Sequence, residues 1–187
     1  KKISEKHRLN PKNPYAKSKL KLEKFLLNNS KKTKINFIIL RYFNVAGADK
    51  KMRTGIISKQ SSHLIKLACE VAVGKRKKLV INGDNYKTKD GTPVRDFIHI
   101  NDLAEIHLLS AKDLIKRKKS NIFNCGYGKG YSVKDIIMEI NKISKNKIKY
   151  VIGPRRPSDN EYVVADTKKF TNYFSWKPKY NNLKYIL

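Results

Sequence analysis

The chain has 187 residues, 40% hydrophobic and 10% aromatic, enough apolar content for one well-cored domain or parts of two and too much for wholesale disorder. No apolar run approaches the ~18–20 residues of a membrane helix, and the polar stretch from Lys1 to Pro14 carries no signal-peptide core, so no membrane partner is expected. The formal charge of +28 would suit a nucleic acid, but 35 of the 43 cations are Lys, and Lys, Ile and Asn, all with A/T-rich codons, supply 72 residues, so composition bias accounts for a charge spread end to end and no nucleic-acid partner is expected.

The pattern alternates helix and strand, which argues for an α/β class. A helix is expected from Pro14 to Asn29, with Ala16, Leu20, Phe25, Leu26 and Leu27 on its buried side and Asn28-Asn29-Ser30 as its end. Ile35 to Leu40 is a continuous β-rich run, as in a parallel strand buried on both faces. A polar, glycine-bearing loop follows from Asn44 to about Gln60. Ser61 or Ser62 can cap a helix to Val73, which Gly74 stops. Leu79 to Ile81 reads as a short strand and Lys87 to Pro93 as a turn-rich loop. Phe97 to Ile100 is a strand running into Asn101, the expected N-cap of a helix from Asp102 to about Ile115. Asn121 to Cys125 is a strand, Ser132 caps a helix from Val133 to Ile143 with Asp135 near its positive end, and Ile148 to Ile152 is the last strand. Trp176 to Leu187 is aromatic and lysine-rich and breaks off inside what reads as a new helix, which suggests truncation.

Chemistry concentrates in four places. Tyr15 and Lys19 share a helical face, and an ammonium beside a phenol favours the phenolate, a usable base. In so lysine-rich a chain an incidental pair is the plain alternative. The strand end Arg41-Tyr42-Phe43-Asn44 lies where open α/β sheets bind ligands. Asp90-Gly91-Thr92-Pro93-Val94-Arg95-Asp96-Phe97-Ile98-His99 packs one Arg among turn residues before a strand, and Arg155-Arg156-Pro157-Ser158-Asp159 pairs guanidinium forks with an acid. Such forks suit phosphate, and a carboxylate suits ribose or sugar hydroxyls.

Four blocks in this order resemble the extended short-chain dehydrogenase/reductase family, and within it the UDP-glucose 4-epimerase branch: Asn13-Pro14-Tyr15-x-Lys17-Ser18-Lys19; Arg41-Tyr42-Phe43-Asn44-x-Ala46-Gly47-Ala48; Asp90-Gly91-Thr92-x-x-Arg95-Asp96-Phe97-Ile98-His99-x-x-Asp102-Leu103-Ala104; and Arg155-Arg156-x-x-Asp159. The likeness covers nearly the whole chain, and the Asp-Gly-Thr start of the third block is its most specific part. It implies an NAD-dependent isomerase interconverting UDP-glucose and UDP-galactose, cytoplasmic and homodimeric when full length. Tyr15 and Lys19 would be catalytic and, with Tyr42 and Phe43, would meet NAD. Asn44, His63, Leu64, Arg95, Arg156 and Asp159 would grip the UDP-sugar. The fold implied is α/β, the C-terminal part of such an enzyme: the end of a Rossmann-like parallel sheet plus a smaller α/β substrate-binding domain. Residues 1–48 would be the tail of the NAD-binding domain and 49–187 mainly substrate-binding, with about 97–125 as the stretch that could return to the Rossmann sheet.

The departures set further expectations. The family's glycine-rich phosphate loop and the catalytic Ser or Thr upstream of the Tyr are not in these residues, so the chain alone is expected to be inactive. Gly126-Tyr127-Gly128-Lys129-Gly130 has the wrong spacing for that loop and no acidic ribose ligand about 20 residues on, and reads as a tight strand-to-helix turn. His99 reads as a packing or orienting residue, His107 as structural and His7 as part of the polar lead. Cys69 and Cys125 read as buried thiols of a reducing cytoplasm, too few for a disulfide scaffold, and no metal site is expected. Two alternatives remain open: a 4-epimerase for another UDP-sugar or a related sugar-nucleotide dehydratase, and a non-catalytic basic binding protein that kept only the fold.

Overall fold

A computed structural model describes residues 1–58, 60–157 and 159–187, without the side chain of residue 31. Helix α1, Pro14–Thr33, begins as its sequence dictates: Pro14 fills the first turn and Asn13 Oδ1 accepts from Ala16 N at 2.8 Å. It runs past the expected stop. The side chains of Asn29, Ser30 and Thr33 donate back to the carbonyls of Phe25, Leu27 and Asn29, satisfying their polar groups inside the helix. The expected apolar side is also narrower. Ala16, Leu20 and Leu26 are half-buried, whereas Phe25 and Leu27 are exposed.

Strand β1, Ile38–Tyr42, starts three residues later than the β-rich run suggests and ends two residues later. The stretch before it is anchored by Phe37 N, which donates to Ser120 Oγ, and pairing starts at Ile38↔Asn121, leaving Ile35 exposed. The first three residues of the expected polar loop form a strand instead, β2, Asn44–Ala46. Helix α2, Leu64–Ala72, starts after His63, not at Ser61 or Ser62. The Ser61 hydroxyl is taken by the amide of His63, and no side chain caps α2. Next come β3, Leu79–Asn82, β4, Val94–Arg95, and β5, Phe97–His99. Helix α3, Ile100–Arg117, is capped by His99, whose Nδ1 accepts from Asn101 N at 3.1 Å, so the expected cap residue is a donor within the first turn. Then follow β6, Asn121–Cys125, β7, Tyr131–Ser132, and helix α4, Val133–Ile143, with the expected Ser132 cap closed by Asp135 into a capping box. The last strands are β8, Tyr150–Gly153, and β9, Tyr162–Val163, and the chain closes with helices α5, Lys168–Phe174, and α6, Leu183–Ile186.

Parallel pairs dominate: β1 with β6, β2 with β5, and β3 with β8. β4 lies between antiparallel β7 and parallel β9. β5 joins two apolar cores through its alternating faces. Phe97 packs with Ala68, Leu79, Ile81, Ile136 and Ile140, while Ile98 packs with Leu103, Ile106, Phe123, Phe170 and Trp176. Each such fully buried side chain contributes about 1.5–3 kcal/mol. The polar lead is docked: Ile3 N donates to Val164 O and Asp166 N to Ile3 O, both at 2.8 Å. Among the described residues no helix is long and apolar enough to cross a membrane, and no His/Cys/Asp/Glu cluster could hold a metal.

Candidate active site

β2, β3, the end of β4 and the loop after β8 line one cavity of about 720 Å³. On its wall meet Asn44 at the start of β2, His63 and Leu64 at the start of α2, Arg95 at the end of β4, and Arg156 and Asp159 in the loop after β8. Arg95 donates from Nη1 to Val94 O at 2.9 Å, and its Nη2 is bonded to the Asp159 carboxylate. With the Asn82 amide turned so that both its oxygen and its nitrogen find partners, its oxygen accepts from Arg156 Nε at 3.2 Å and Nη2 at 3.3 Å. Its neighbour Arg155 stacks 3.9 Å above the centroid of Tyr86. The far wall is the loop after β2, where Arg53 forks onto Asp49 and its hydrogen bonds hold that carboxyl down to about 2.

A second cavity, about 1220 Å³, shares Asn44, Val45, His63 and Asp159 with the first and runs on to Tyr15, Arg41, Tyr42 and Phe43. Tyr15 is 69% exposed. Lys19 stands off the cavity wall, its Nζ 5.3 Å from the centroid of the Tyr15 ring, one helical turn along α1. Arg41 holds α1 to the strand end. Its Nε donates to Glu23 Oε2 at 3.0 Å, its Nη2 bonds Glu23 Oε1, and its Nη1 donates to Glu5 O at 3.1 Å. All the sequence-predicted site residues except Lys19 therefore line one continuous groove, and Lys19 touches its edge through Tyr15.

Sequence reasoning missed the residues that build this groove from beneath. In the third block Arg95 is the one charged side chain on the cavity wall, beside Pro93 and Phe97. Asp90 and Thr92 bracket α4: Thr92 N and Oγ1 donate to Asp90 Oδ1, Ser132 bonds Asp90 Oδ2, and Val133 N donates to Thr92 Oγ1 at 3.1 Å. Burial opposes charge on Asp90, but the Ser132 and Thr92 donors prevail and hold the carboxyl below its ordinary value. Gly91 is required at φ +79°, where a Cβ would stand 1.9 Å from Asp84 O. Asp96 is wholly buried and accepts from Tyr127 N, Gly128 N and Ala165 N at 2.9, 2.8 and 3.2 Å. Those bonds close the glycine-rich turn after β6, whose amides point at a carboxylate and are not free to cradle a phosphate. Asp102 accepts from Lys179 N, Tyr180 N and the Tyr127 hydroxyl, tying the end of the chain to the start of α3.

His99 is buried and stacked on Tyr180 at 4.4 Å, and burial lowers its pKa against the pull of Asp102. It packs, as expected, and it also caps α3, the role expected of Asn101. His107 is bonded through Nδ1 to Leu103 O, within its own helix. Burial pushes the Cys125 thiol up to about 12 and also raises Cys69, and the two are free thiols. The groove thus pairs a phenol and an aromatic wall at one end with two arginine forks, an acid and an amide at the other. That arrangement can hold a diphosphate ester and present a neighbouring hydroxyl to Tyr15.

Residues 1–126 match the NAD dependent epimerase/dehydratase family. A UDP-glucose 4-epimerase of Azospirillum brasilense is 40% identical over 177 residues, covering 95% of this chain and 51% of that protein. Among solved structures, the UDP-Glc/GlcNAc 4-epimerase of Campylobacter jejuni is 45% identical with a TM-score of 0.78, covering 99% of this chain and 56% of its own. The Bifidobacterium longum UDP-glucose 4-epimerase, solved with NAD+ and UDP, is 34% identical with a TM-score of 0.90 over 99% of this chain and 56% of its own. The chain spans about half the length of the curated relatives it matches.

Proposed function

The chain belongs to the NAD dependent epimerase/dehydratase family, and on that premise we propose that it carries the catalytic base and nucleotide grip of a UDP-glucose 4-epimerase, interconverting UDP-glucose and UDP-galactose. The observation that carries this reading is the single groove shared by Asn44, His63, Leu64, Arg95, Arg156 and Asp159 and continued by Tyr15, Tyr42 and Phe43. Tyr42 and Phe43 beside Tyr15 fit the nicotinamide end of NAD, and Lys19 would hold the adjoining ribose. When bound, NAD accepts the hydride from sugar C4 and returns it to the opposite face. Tyr15 takes the C4 hydroxyl proton during oxidation and gives it back during reduction, so neither a proton nor an electron pair is left over. Arg95 and Arg156 fork the diphosphate, and Asn44 and Asp159 bond phosphate, ribose or sugar oxygens. His63 and Leu64 add contacts on the uridine or diphosphate side. A grip concentrated on UDP leaves the hexose free to turn over between the two hydride steps.

In this reading residues 1–48 serve the cofactor and 49–187 mainly the substrate, with 97–125 returning beside the first strands. The parallel pairing of β1 with β6 and of β2 with β5 supports that return. The whole protein would work as a cytoplasmic homodimer. The Campylobacter relative, named for both Glc and GlcNAc, favours a second substrate, UDP-N-acetylglucosamine. The test is to express the complete reading frame and follow UDP-glucose, UDP-galactose and UDP-N-acetylglucosamine by NMR with NAD present. Appearance of the C4 epimers is expected. Dehydrated products would overturn the epimerase reading, and salt-dependent DNA binding without UDP-sugar binding would replace it with a non-catalytic one.

A further inference from the structure

Arg41 opens the second sequence block, yet neither the cofactor nor the substrate reading uses it. Resting on the epimerase reading above, we propose that Arg41, through Glu23, is a positioning residue for proton transfer at Tyr15.

Helix α1 carries Tyr15. Its half-buried side chains among the described residues include Ala16, Leu20, Glu23 and Leu26. Ala16, Leu20 and Leu26 make non-directional contacts, which tolerate sliding and rotation. The Arg41 fork onto Glu23 is directional, because a planar guanidinium meets a carboxylate in a narrow range of geometries. Arg41 is the penultimate residue of β1, directly before Tyr42 and Phe43, and Glu23 lies two helical turns beyond Tyr15. The Glu5 carbonyl takes a further guanidinium hydrogen, and the Glu5 carboxylate accepts from Asn124 N on β6 at 2.8 Å. The fork therefore joins the helix bearing the base, the strand end on the cavity wall, and the neighbouring strand.

Sliding α1 by one residue would move Tyr15 by about 1.5 Å and swing it by about 100°. A misplacement near 1 Å costs on the order of 10²-fold in rate. Arg41 also stands on the cavity wall, so direct contact with a ligand is the rival role. Glu23 lines neither cavity, and it separates the two.

The experiment compares Arg41→Met, Arg41→Lys, Glu23→Gln, Glu23→Met and the Arg41→Met/Glu23→Met pair in the complete NAD-loaded protein, reading kcat, KM and Tm. Either Met variant should lower kcat by about 30- to 100-fold with KM for the UDP-sugar within about threefold. The double variant should be no worse than a single one, because both remove one contact. Arg41→Lys, which keeps the charge without the fork, and Glu23→Gln, which keeps the shape without the charge, should fall between. A lowered Tm with kcat intact at temperatures well below it would reduce the pair to a structural brace and overturn the proposal. A raised KM in the Arg41 variants alone would also overturn it, in favour of ligand contact. An inactive wild-type protein would overturn the epimerase reading and this inference together, whereas an active wild type with unaffected variants overturns this inference alone.

Discussion

Replacing Arg156 with Lys keeps one positive charge on the groove wall and removes the planar fork. With the Asn82 amide oxygen turned toward it, the guanidinium donates from Nε and Nη2 at 3.2 and 3.3 Å at the end of β3, on the cavity wall it shares with Arg95 and Asp159. A Lys ammonium is a point charge on a flexible stem and cannot serve Asn82 and a phosphate in the same plane. A charge-assisted hydrogen bond to phosphate contributes roughly 1.5–3 kcal/mol. Each ~1.4 kcal/mol is a factor of ten in affinity, and the retained charge keeps the effect near the lower end, so UDP should bind about tenfold more weakly. Uridine, which lacks the diphosphate, should lose almost nothing. Calorimetric titration of UDP and of uridine into wild type and Arg156→Lys, beside melting curves, measures both. Unchanged UDP affinity with a lowered Tm would leave Arg156 as a brace for the Asn82 turn and refute its role on the diphosphate.

Three further outcomes follow from the same geometry. Tyr15→Phe keeps the ring and removes the proton acceptor, so kcat in the complete protein should fall by about 10²–10⁴-fold with UDP affinity nearly unchanged; near-normal turnover would move the base elsewhere. Gly47 sits at φ +79°, and a Cβ there would stand 2.4 Å from the His99 ring. Gly47→Ala should therefore cost roughly 2–4 kcal/mol of backbone strain and ring displacement and lower the melting temperature by about 5–15 °C. Burial lowers the folded pKa of His99 below its ordinary 6.5. The unfolded chain then binds the extra proton first, so stability is full above the ordinary value and falls as pH drops through the folded one. Melting curves between pH 7.5 and 5 should show that loss, and His99→Gln should shrink it; an equal loss in the variant would assign it to other groups.

What the sequence made legible were features that depend on neighbours in the chain. The Asn13-Pro14 start of α1, the Ser132 cap of α4 and the short strand β6 are local chemistry, and the structure has them where the residues predict. The errors lie where a distant partner decides. Asn28-Asn29-Ser30 fail to stop α1, the side chains of Asn29 and Ser30 finding carbonyls within it, and β2 forms from a polar loop because β5 lies beside it. The candidate site was legible for the same reason in reverse. A cavity-facing side chain such as Arg95 or Arg156 stands at a strand end or in the loop just after one and is announced by the turn residues around it. The side chains that hold such ends together give no local signal. Asp96 reaches residues 127, 128 and 165, and Asp102 reaches 127, 179 and 180. Both occur in the same block as Arg95, one residue and seven residues on, yet they point inward while Arg95 points into the groove. A dense polar motif in an α/β chain therefore mixes two kinds of residue, and burial separates them. The half-buried member stands on the cavity wall, and the buried carboxylates, each collecting three donors from segments far apart in sequence, fix where that member stands.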